Sequence, residues 1–332
     1  MKFRHKGTIL SAAALALTLG IAGTATAQTE LRFASSQPPE GGYMGEFINT
    51  FGKALEEKTG GELSVKGFFS GALGSNEREL AEMTQTGVVD LSHGATPYIL
   101  GWAPSTRVFD LPYMFDDLAH YKAVVQGEVG DIIREEARDD GVEIIGFTIA
   151  GFRSIFNNER PLNSVADLKG LKIRSMESPV YVDMFTRLGM LPTPMPSSEL
   201  FTALQLGTVD AGENDPASVM SWGWNDAIKY YSLDRHSIAV IAIMMNKAKF
   251  DSYSPEIRQA ILDAARAAEN DQLDYIAKAW EDSLEQIKAS GVEVNEIADL
   301  DGFRETVAPV VDKYEAEIGN NLVQKIRDLG TQ

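Results

Sequence analysis

Residues 79–91 read ELAEMTQTGVVDL and residues 199–211 read ELFTALQLGTVDA, which is a near-repeat at an offset of 120 residues with six of thirteen positions identical. Each copy indicates a helix that ends at a glycine, followed by a strand that begins with a β-branched residue. The predicted strands are 88–91 and 209–211. Because both copies share this design, we expect two lobes of related architecture. The alternative is chance recurrence of a common helix-stop pattern.

Short apolar strands alternate with helical stretches along the rest of the chain. The other predicted strands are 31–33, 63–65, 142–147, 171–174 and 238–245. Their apolar character favours buried, mostly parallel strands and therefore an α/β fold. A long helix should begin after the capping residue Ser254, with Pro255 in its first turn, and continue to about residue 289. It would be roughly 50 Å long, which is enough to span two lobes.

The first 27 residues have the order of a secretory signal peptide. Basic Lys2, Arg4 and Lys6 precede an apolar stretch from 9 to 22, and the sequence Ala-Thr-Ala ends at Ala27. The apolar stretch is shorter than the ~20 residues of a membrane span. We expect cleavage after Ala27 and a product in the periplasm. Because the chain has no cysteine, a lipid anchor on cysteine and disulfide bonds are both excluded.

The size and charge of the remaining chain also limit its function. After removal of the signal peptide, 332 − 27 = 305 residues remain, which suits two lobes of about 100 to 200 residues each. The formal charge of −18 becomes −18 − 3 = −21 once three basic residues are lost. Such an acidic protein is a poor partner for nucleic acid or an anionic membrane.

Several common catalytic motifs are missing from the sequence. It contains no HExxH, GxSxG, P-loop or GxGxxG motif, and its histidines after residue 27, which are His93, His120 and His236, are far apart. We therefore expect no enzymatic activity, no metal site and no cofactor. A hydrolase that uses two carboxylates stays open as an alternative, because 48 acidic residues offer many pairs.

Several motifs occur in a characteristic order along the chain. They are GALG at 71–74, GVVDL at 87–91, DLPY at 110–113, GFR at 151–153, RPLNSVADLKGLKIR at 160–174, LG at 188–189, PTPMP at 192–196, the second near-repeat copy, and EN at 213–214. Together they resemble the DctP-type solute receptors of tripartite ATP-independent periplasmic (TRAP) transporters. The resemblance covers nearly all of the chain after residue 27.

The resemblance implies a two-lobe, Venus-flytrap α/β fold with crossing strands and a long helix spanning both lobes. Lobe I would comprise residues 28–150, completed by about 237–254, and lobe II would comprise 151–236, completed by about 290–332. Helix 255–289 would bridge them. The resemblance also implies a receptor that closes on a small carboxylate-bearing solute and delivers it to the small and large membrane permease subunits. We expect a monomer.

Three residues match the ligand contacts of this family by position. Arg174 matches the arginine that holds the ligand carboxylate through two parallel bonds, Arg153 matches a second cationic contact, and Asn214 matches an amide contact. A guanidinium is a planar, permanently charged fork that suits a carboxylate. Without the resemblance, Arg174 could form an exposed ion pair with Glu177 or Asp167. Arg153 could form a salt bridge between lobes, and Asn214 could be a turn residue.

Four further residues stand where this family varies its contacts with the hydroxyl groups of the solute: Gln37, Glu77, Thr96 and His236. They favour a polyhydroxylated sugar acid, such as a uronate or an aldonate. A C4-dicarboxylate or another small organic acid is the second choice. A binding protein of an ABC transporter, a sensory domain and a secreted hydrolase are less favoured alternatives.

Overall fold

The computed structural model describes Met1 and residues 28–40 and 43–330. Apart from Met1, the predicted signal peptide lies outside the described residues. Within them, no helix is both long and apolar enough to pass through a membrane.

Nine strands in the described residues form one mixed sheet that continues through both lobes. They are β1 (Thr29–Ala34), β2 (Leu63–Phe68), β3 (Leu91–Ala95), β4 (Val142–Asn157), β5 (Lys172–Ser175), β6 (Leu191–Pro194), β7 (Ala211–Asn214), β8 (Tyr230–Asn246) and β9 (Glu293–Glu296). The strand order is β2-β1-β3-β8-β4-β7-β5-β6, and β9 pairs with β8.

Helices cover this sheet. Those in the described residues are α1 (Tyr43–Lys58), α2 (Glu77–Gln85), α3 (Leu118–Val125), α4 (Glu128–Asp139), α5 (Pro179–Arg187), α6 (Ser197–Gln205), α7 (Pro216–Ser221), α8 (Lys247–Asp251), α9 (Pro255–Ala289), α10 (Leu300–Ile318) and α11 (Leu322–Leu329). Short 3₁₀ helices span Thr96–Ile99, Pro104–Asp110, Val165–Leu168 and Trp224–Ala227.

The two longest strands, β4 and β8, cross between the lobes as an antiparallel pair. In lobe I the last half of β8 lies between β3 and the first half of β4, whereas in lobe II the other half of β4 pairs with β7 and that of β8 pairs with β9. Their register shifts between Ile149 and Phe152, and such irregularities bend a strand. Gly151 lies there with φ +136°. The predicted strands 142–147 and 238–245 are thus the lobe I halves of two crossing strands, and the two-lobe fold is confirmed.

The glycines of the near-repeat have the same conformation in both lobes. Gly87 follows α2 with φ +77°, and Gly207 follows α6 with φ +68°. Strands β3 and β7 begin at Leu91 and Ala211, later than the sequence predicts. The delay arises because the two residues after each glycine donate hydrogen bonds back to a carbonyl oxygen of the preceding helix.

The aspartates of the near-repeat also have equivalent roles. Asp90 accepts a hydrogen bond from the backbone N–H of Arg32 on β1, at 2.8 Å. Asp210 accepts one from the backbone N–H of Lys172 on β5, at 3.0 Å. Each aspartate therefore fixes the neighbouring parallel strand in register with its own strand, which supports the interpretation of two related lobes.

The long helix α9 has the predicted bounds. The side chain of Ser254 caps it by accepting a hydrogen bond from the N–H of Ile257 at 3.3 Å. Helix α9 contacts α1 of lobe I and α7 of lobe II. Glu269 on α9 accepts a hydrogen bond from the N–H of Phe147 on β4, at 2.6 Å. The helix is therefore attached to a crossing strand as well as to both lobes.

The C-terminal helices contact both lobes. Helix α10 lies against α5 of lobe II and against the 3₁₀ helix Pro104–Asp110 of lobe I, while α11 lies against α3 and α4. The exact lobe boundaries stay a prediction.

Candidate functional site

A cavity between the lobes lies beside the crossing of β4 and β8. It has about 380 Å³ of empty space, counting the part open to solvent. Both lobes contribute to its lining, which includes Gln37, Tyr43, Glu77 and Tyr98 from lobe I and Arg153, Met176, Ser197, Asn214 and Trp222 from lobe II.

Arg153 on β4 lines this cavity and is held by two neighbours on β7. Its Nε and Nη2 atoms donate to the two carboxylate oxygens of Glu213, and Nη1 donates to Oδ1 of Asn214 at 2.7 Å. All three residues are buried. Because β4 and β7 are antiparallel neighbours with Ser154 opposite Asn214, the strand register itself brings these side chains together.

Arg174 on β5 is fully buried, with 0% of its surface exposed, which excludes the alternative of a solvated ion pair. Its Nε donates to the carbonyl oxygen of Met195 at 2.8 Å, and Nη2 donates to the hydroxyl of Ser197, a cavity-lining residue, at 3.2 Å. Nη1 makes no hydrogen bond to any described residue, and its nearest anionic partner is Oε1 of Glu213 at 3.8 Å. A buried cation with an unused donor is unfavourable unless an anion binds to it.

Glu213 lies at the centre of a buried charged cluster. His236 contacts it from the other side, with Nε2 at 3.4 Å from Oε2, while Nδ1 of His236 is 2.9 Å from Asp234. Burial alone would raise the pKa of Glu213, but Arg153 and His236 outweigh burial and lower this pKa to about 2. Arg153 and Arg174 also interact with the buried carboxyls of Asp215 and Glu77, respectively.

The pKa of His236 gives a test of this cluster. Burial alone would lower the pKa, but Asp234 and Glu213 raise it from 6.5 to about 9. Between these values the folded protein binds one more proton than the unfolded chain, so the free energy of unfolding must fall as the pH rises. We expect a loss of up to about 1.4 kcal/mol per pH unit between pH 7.5 and 9 in urea unfolding experiments.

A matched variant identifies the group responsible for this slope. The pKa values of Asp110 and Asp215 are raised by burial to about 7 and about 6, so both carboxyls titrate mainly below the chosen pH window. His236→Gln should therefore flatten the dependence between pH 7.5 and 9. An unchanged slope in this variant would show that His236 is not protonated in the folded protein.

The lobe I side of the cavity presents hydrogen-bond acceptors. Oε2 of Glu77, the first residue of α2, accepts the backbone N–H of Ala95 at 2.7 Å. Burial raises the pKa of Glu77. The side-chain oxygen of Gln37 is buried and has no hydrogen-bond partner among the described residues. These acceptors suit hydroxyl groups, whereas the guanidinium groups of lobe II suit an anion.

Two of the predicted contacts lie behind the cavity wall. The hydroxyl of Thr96 donates to Asp110 at 3.2 Å, and His236 is engaged by Asp234 and Glu213. The structure thus places Gln37, Glu77, Arg153 and Asn214 on the cavity lining, Arg174 beside it, and Thr96 and His236 behind it. Direct contact of any of these residues with a solute stays a prediction.

Sequence reasoning missed several residues of the site. Glu213 directly precedes Asn214, which was predicted as a ligand contact. An acidic residue next to this predicted contact was the signal in the sequence that could have identified Glu213. Tyr43 and Tyr98 carried no such signal. Trp222 stacks on the buried Trp224, with ring centroids 5.8 Å apart, and still lines the cavity. It therefore packs against the core and also faces the cavity.

The described residues contain no cluster of three or more histidine, aspartate or glutamate side chains arranged to hold a metal ion. The groups that line the cavity can bind and orient an anion that carries hydroxyl groups. Two lobes, crossing strands and a buried cationic cluster at the cleft define a two-lobed solute-binding protein. The chain belongs to the bacterial extracellular solute-binding protein family 7 (DctP), whose family model matches residues 33–317.

Known relatives agree with this assignment. The 2,3-diketo-L-gulonate-binding periplasmic protein YiaO of Escherichia coli is 34% identical over 251 residues, which cover 76% of each chain. A TRAP periplasmic solute binding protein from Polaromonas sp., bound to D-erythronate, has a TM-score of 0.87 and 31% identity, covering 92% of this chain and 100% of that one. A TRAP protein from Roseobacter denitrificans with bound β-D-glucuronate has a TM-score of 0.84 and 32% identity, covering 90% and 99%. The chain is a solute-binding protein of the TRAP type.

Proposed function

We propose that this protein is the periplasmic receptor of a TRAP transporter, that it binds a sugar acid with one carboxylate, such as a uronate or an aldonate, and that it catalyses no reaction. It delivers the acid to the small and large subunits of the membrane permease. The observation that carries the proposal is the buried cluster of Arg153, Arg174, Glu213 and His236, which retains an unused guanidinium donor beside the cavity.

The solute carboxylate is assigned to the lobe II side of the cavity. Nη1 of Arg174 has no hydrogen-bond partner in the described chain, and its nearest anionic partner, Oε1 of Glu213, lies 3.8 Å away. A single solute carboxylate satisfies this donor. Because the site is shielded from water, each charge-assisted hydrogen bond there is stronger than at a surface.

The hydroxyl groups are assigned to the lobe I side. Glu77 and Gln37 present acceptor oxygens there, and each can accept a hydrogen bond from a hydroxyl group of the solute. A second carboxylate has no proton to donate at neutral pH, and its charge would be repelled by Glu77 whenever Glu77 is ionised. The site therefore favours a hydroxylated monoacid over a C4-dicarboxylate. The relatives described above bind D-erythronate, glucuronate and diketogulonate, which each have a single carboxylate.

Closure of the lobes couples these two sides. A solute that contacts lobe I through its hydroxyl groups and lobe II through its carboxylate stabilises the closed state relative to the open state. The crossing strands bend near Gly151. A Cβ atom on residue 151 would lie only 3.0 Å from the Cβ atom of Asp215. The closed receptor presents both lobes together to the permease, which provides a signal that solute is bound.

A thermal-shift panel tests this function. We expect D-glucuronate, D-galacturonate, D-galactonate or D-erythronate to stabilise the protein, by about 2.7 kcal/mol at 100 times its dissociation constant. Succinate, malate and neutral glucose should have little effect. Stabilisation by neutral sugars equal to that by their acids, or by no acid of the panel, would contradict the proposal.

Glu77→Gln tests the discrimination against dicarboxylates. Removing the carboxylate removes the repulsion of a second negative charge, so we expect malate and succinate to approach the affinity of the monoacid in isothermal titration calorimetry. Glu82→Gln, an exposed change on the same helix, is the matched control and should keep the wild-type preference. If Glu77→Gln leaves the ratio of the affinities for the monoacid and for the dicarboxylates unchanged, Glu77 does not set the preference for the monoacid.

A further inference from the structure

The loop that joins β5 to α5 contacts lobe I at two places. The hydroxyl of Ser178 donates to Oδ2 of Asp110, on the 3₁₀ helix Pro104–Asp110, at 2.8 Å. The preceding residue, Glu177, lies with Oε2 at 4.0 Å from Nη2 of Arg78 on α2. Two adjacent residues of lobe II are thus held by two separate elements of lobe I.

The contact of Ser178 replaces its usual local role. A serine at the N-cap of a helix normally accepts a hydrogen bond from a backbone N–H in the first turn. Ser178 is the N-cap residue of α5, and Pro179 follows it, but its side chain makes no such bond. Its hydroxyl is directed to Asp110 in the other lobe instead. Ser178 therefore makes a hydrogen bond between the lobes in place of a helix-capping hydrogen bond.

Asp110 is held in position within lobe I. Its other oxygen, Oδ1, accepts a hydrogen bond from the hydroxyl of Thr96 at 3.2 Å. Asp110, Thr96 and Ser178 are all buried. Because Thr96 and Asp110 belong to the same lobe, the acceptor for Ser178 is already oriented when the lobes come together, which reduces the entropy cost of forming the contact.

The opposite end of the loop leads to the anion site. Arg174 precedes Ser178 by four residues, and Met176, between them, lines the cavity. The same short loop therefore connects the anion site with the contact to lobe I.

We propose that Glu177 and Ser178 form a latch between the lobes, which sets the stability of the closed state without touching the solute. This inference rests on the proposed receptor function. In this role Ser178 and Asp110 are positioning residues: their loss weakens the binding of every acid by the same factor and leaves the order of preference among acids unchanged.

Spin labels measure closure directly. Since the chain has no cysteine, Glu82→Cys on α2 and Thr202→Cys on α6 provide one label on each lobe at exposed positions. Pulsed electron spin resonance then gives the distance between labels as D-glucuronate or D-galacturonate is added, at pH 8, where Asp110 with its pKa of about 7 is mostly ionised.

We expect Ser178→Ala to need about tenfold more acid for half closure, since one buried hydrogen bond to a charged group is lost. Ser175→Ala is the matched control, because this serine is buried nearby and its hydroxyl has no hydrogen-bond partner among the described residues. It should close like the wild type. Asp110→Asn should raise the acid concentration for half closure about as much as Ser178→Ala does. The double variant Ser178→Ala/Asp110→Asn should need no more acid for half closure than the more affected of the two single variants.

The outcomes separate the latch from the receptor function. If Ser178→Ala and Ser175→Ala close at the same acid concentration, the latch is wrong while the receptor function stands. If neither acid shortens the distance in the wild type, the receptor function fails for these acids. The latch is then judged on the protein without solute, where Ser178→Ala must show longer distances than Ser175→Ala, and identical distributions overturn it.

Discussion

Arg174→Ala is expected to abolish the thermal shift caused by the acid that stabilises the wild type most, while the protein stays folded. The change removes the charge-assisted hydrogen bond that Nη1 donates to the carboxylate, which contributes about 1.5–3 kcal/mol. The affinity in calorimetry should therefore fall about ten- to a hundredfold. The fold should tolerate the change because Glu213 keeps its ion pair with Arg153 and its contact with His236.

Two further variants test whether the loss of binding is due to the guanidinium group of Arg174. Arg174→Lys keeps the charge but loses the fork, so its affinity should lie between those of the wild type and the alanine variant. Arg187→Ala removes an exposed arginine of the same lobe and should bind normally. Circular dichroism confirms the fold of each variant. An Arg174→Ala protein with a normal response to the acid would remove Arg174 from the site.

Glu213→Gln is expected to cause the largest loss of stability. It leaves Arg153, Arg174 and protonated His236 in a buried region without their shared anion, and breaking a buried ion pair from one side costs about 3–5 kcal/mol. Glutamine fills the same volume, so loss of charge rather than loss of packing is measured. Urea unfolding at pH 7 gives the free energy directly.

Glu281→Gln is the matched control for this change. Glu281 is an exposed carboxylate on α9, and surface changes of this kind usually shift stability by less than about 0.5 kcal/mol. If Glu213→Gln and Glu281→Gln unfold at the same urea concentration, Glu213 does not hold the buried cations together, and the charge balance of the site is wrong.

Local sequence patterns were sufficient for the elements that depend on neighbouring residues. The cap at Ser254 and the proline after it predicted α9, because helix ends follow from local hydrogen bonding. The near-repeat predicted two lobes of related design, and the equivalent bonds of Asp90 and Asp210 agree with it. The order of motifs then indicated the family, which the family model confirms.

Features that depend on distant residues were beyond these patterns. Strands β4 and β8 were read as short apolar segments, because their lobe II halves contain polar residues that are buried only through their pairing with β7 and β9. The start of β3 was placed too early, because Val88 bonds back to α2 and is exposed. No local pattern shows that Glu213 meets Arg153, since the two residues are 60 positions apart.

A crystal structure of the protein with its best acid tests most directly whether the buried guanidinium groups hold the negative end of the solute. We expect a carboxylate oxygen within about 3.2 Å of Nη1 of Arg174, with the hydroxyl groups of the acid directed to Glu77 and Gln37. A carboxylate bound on the lobe I side, with Nη1 of Arg174 still without a partner, would contradict the account.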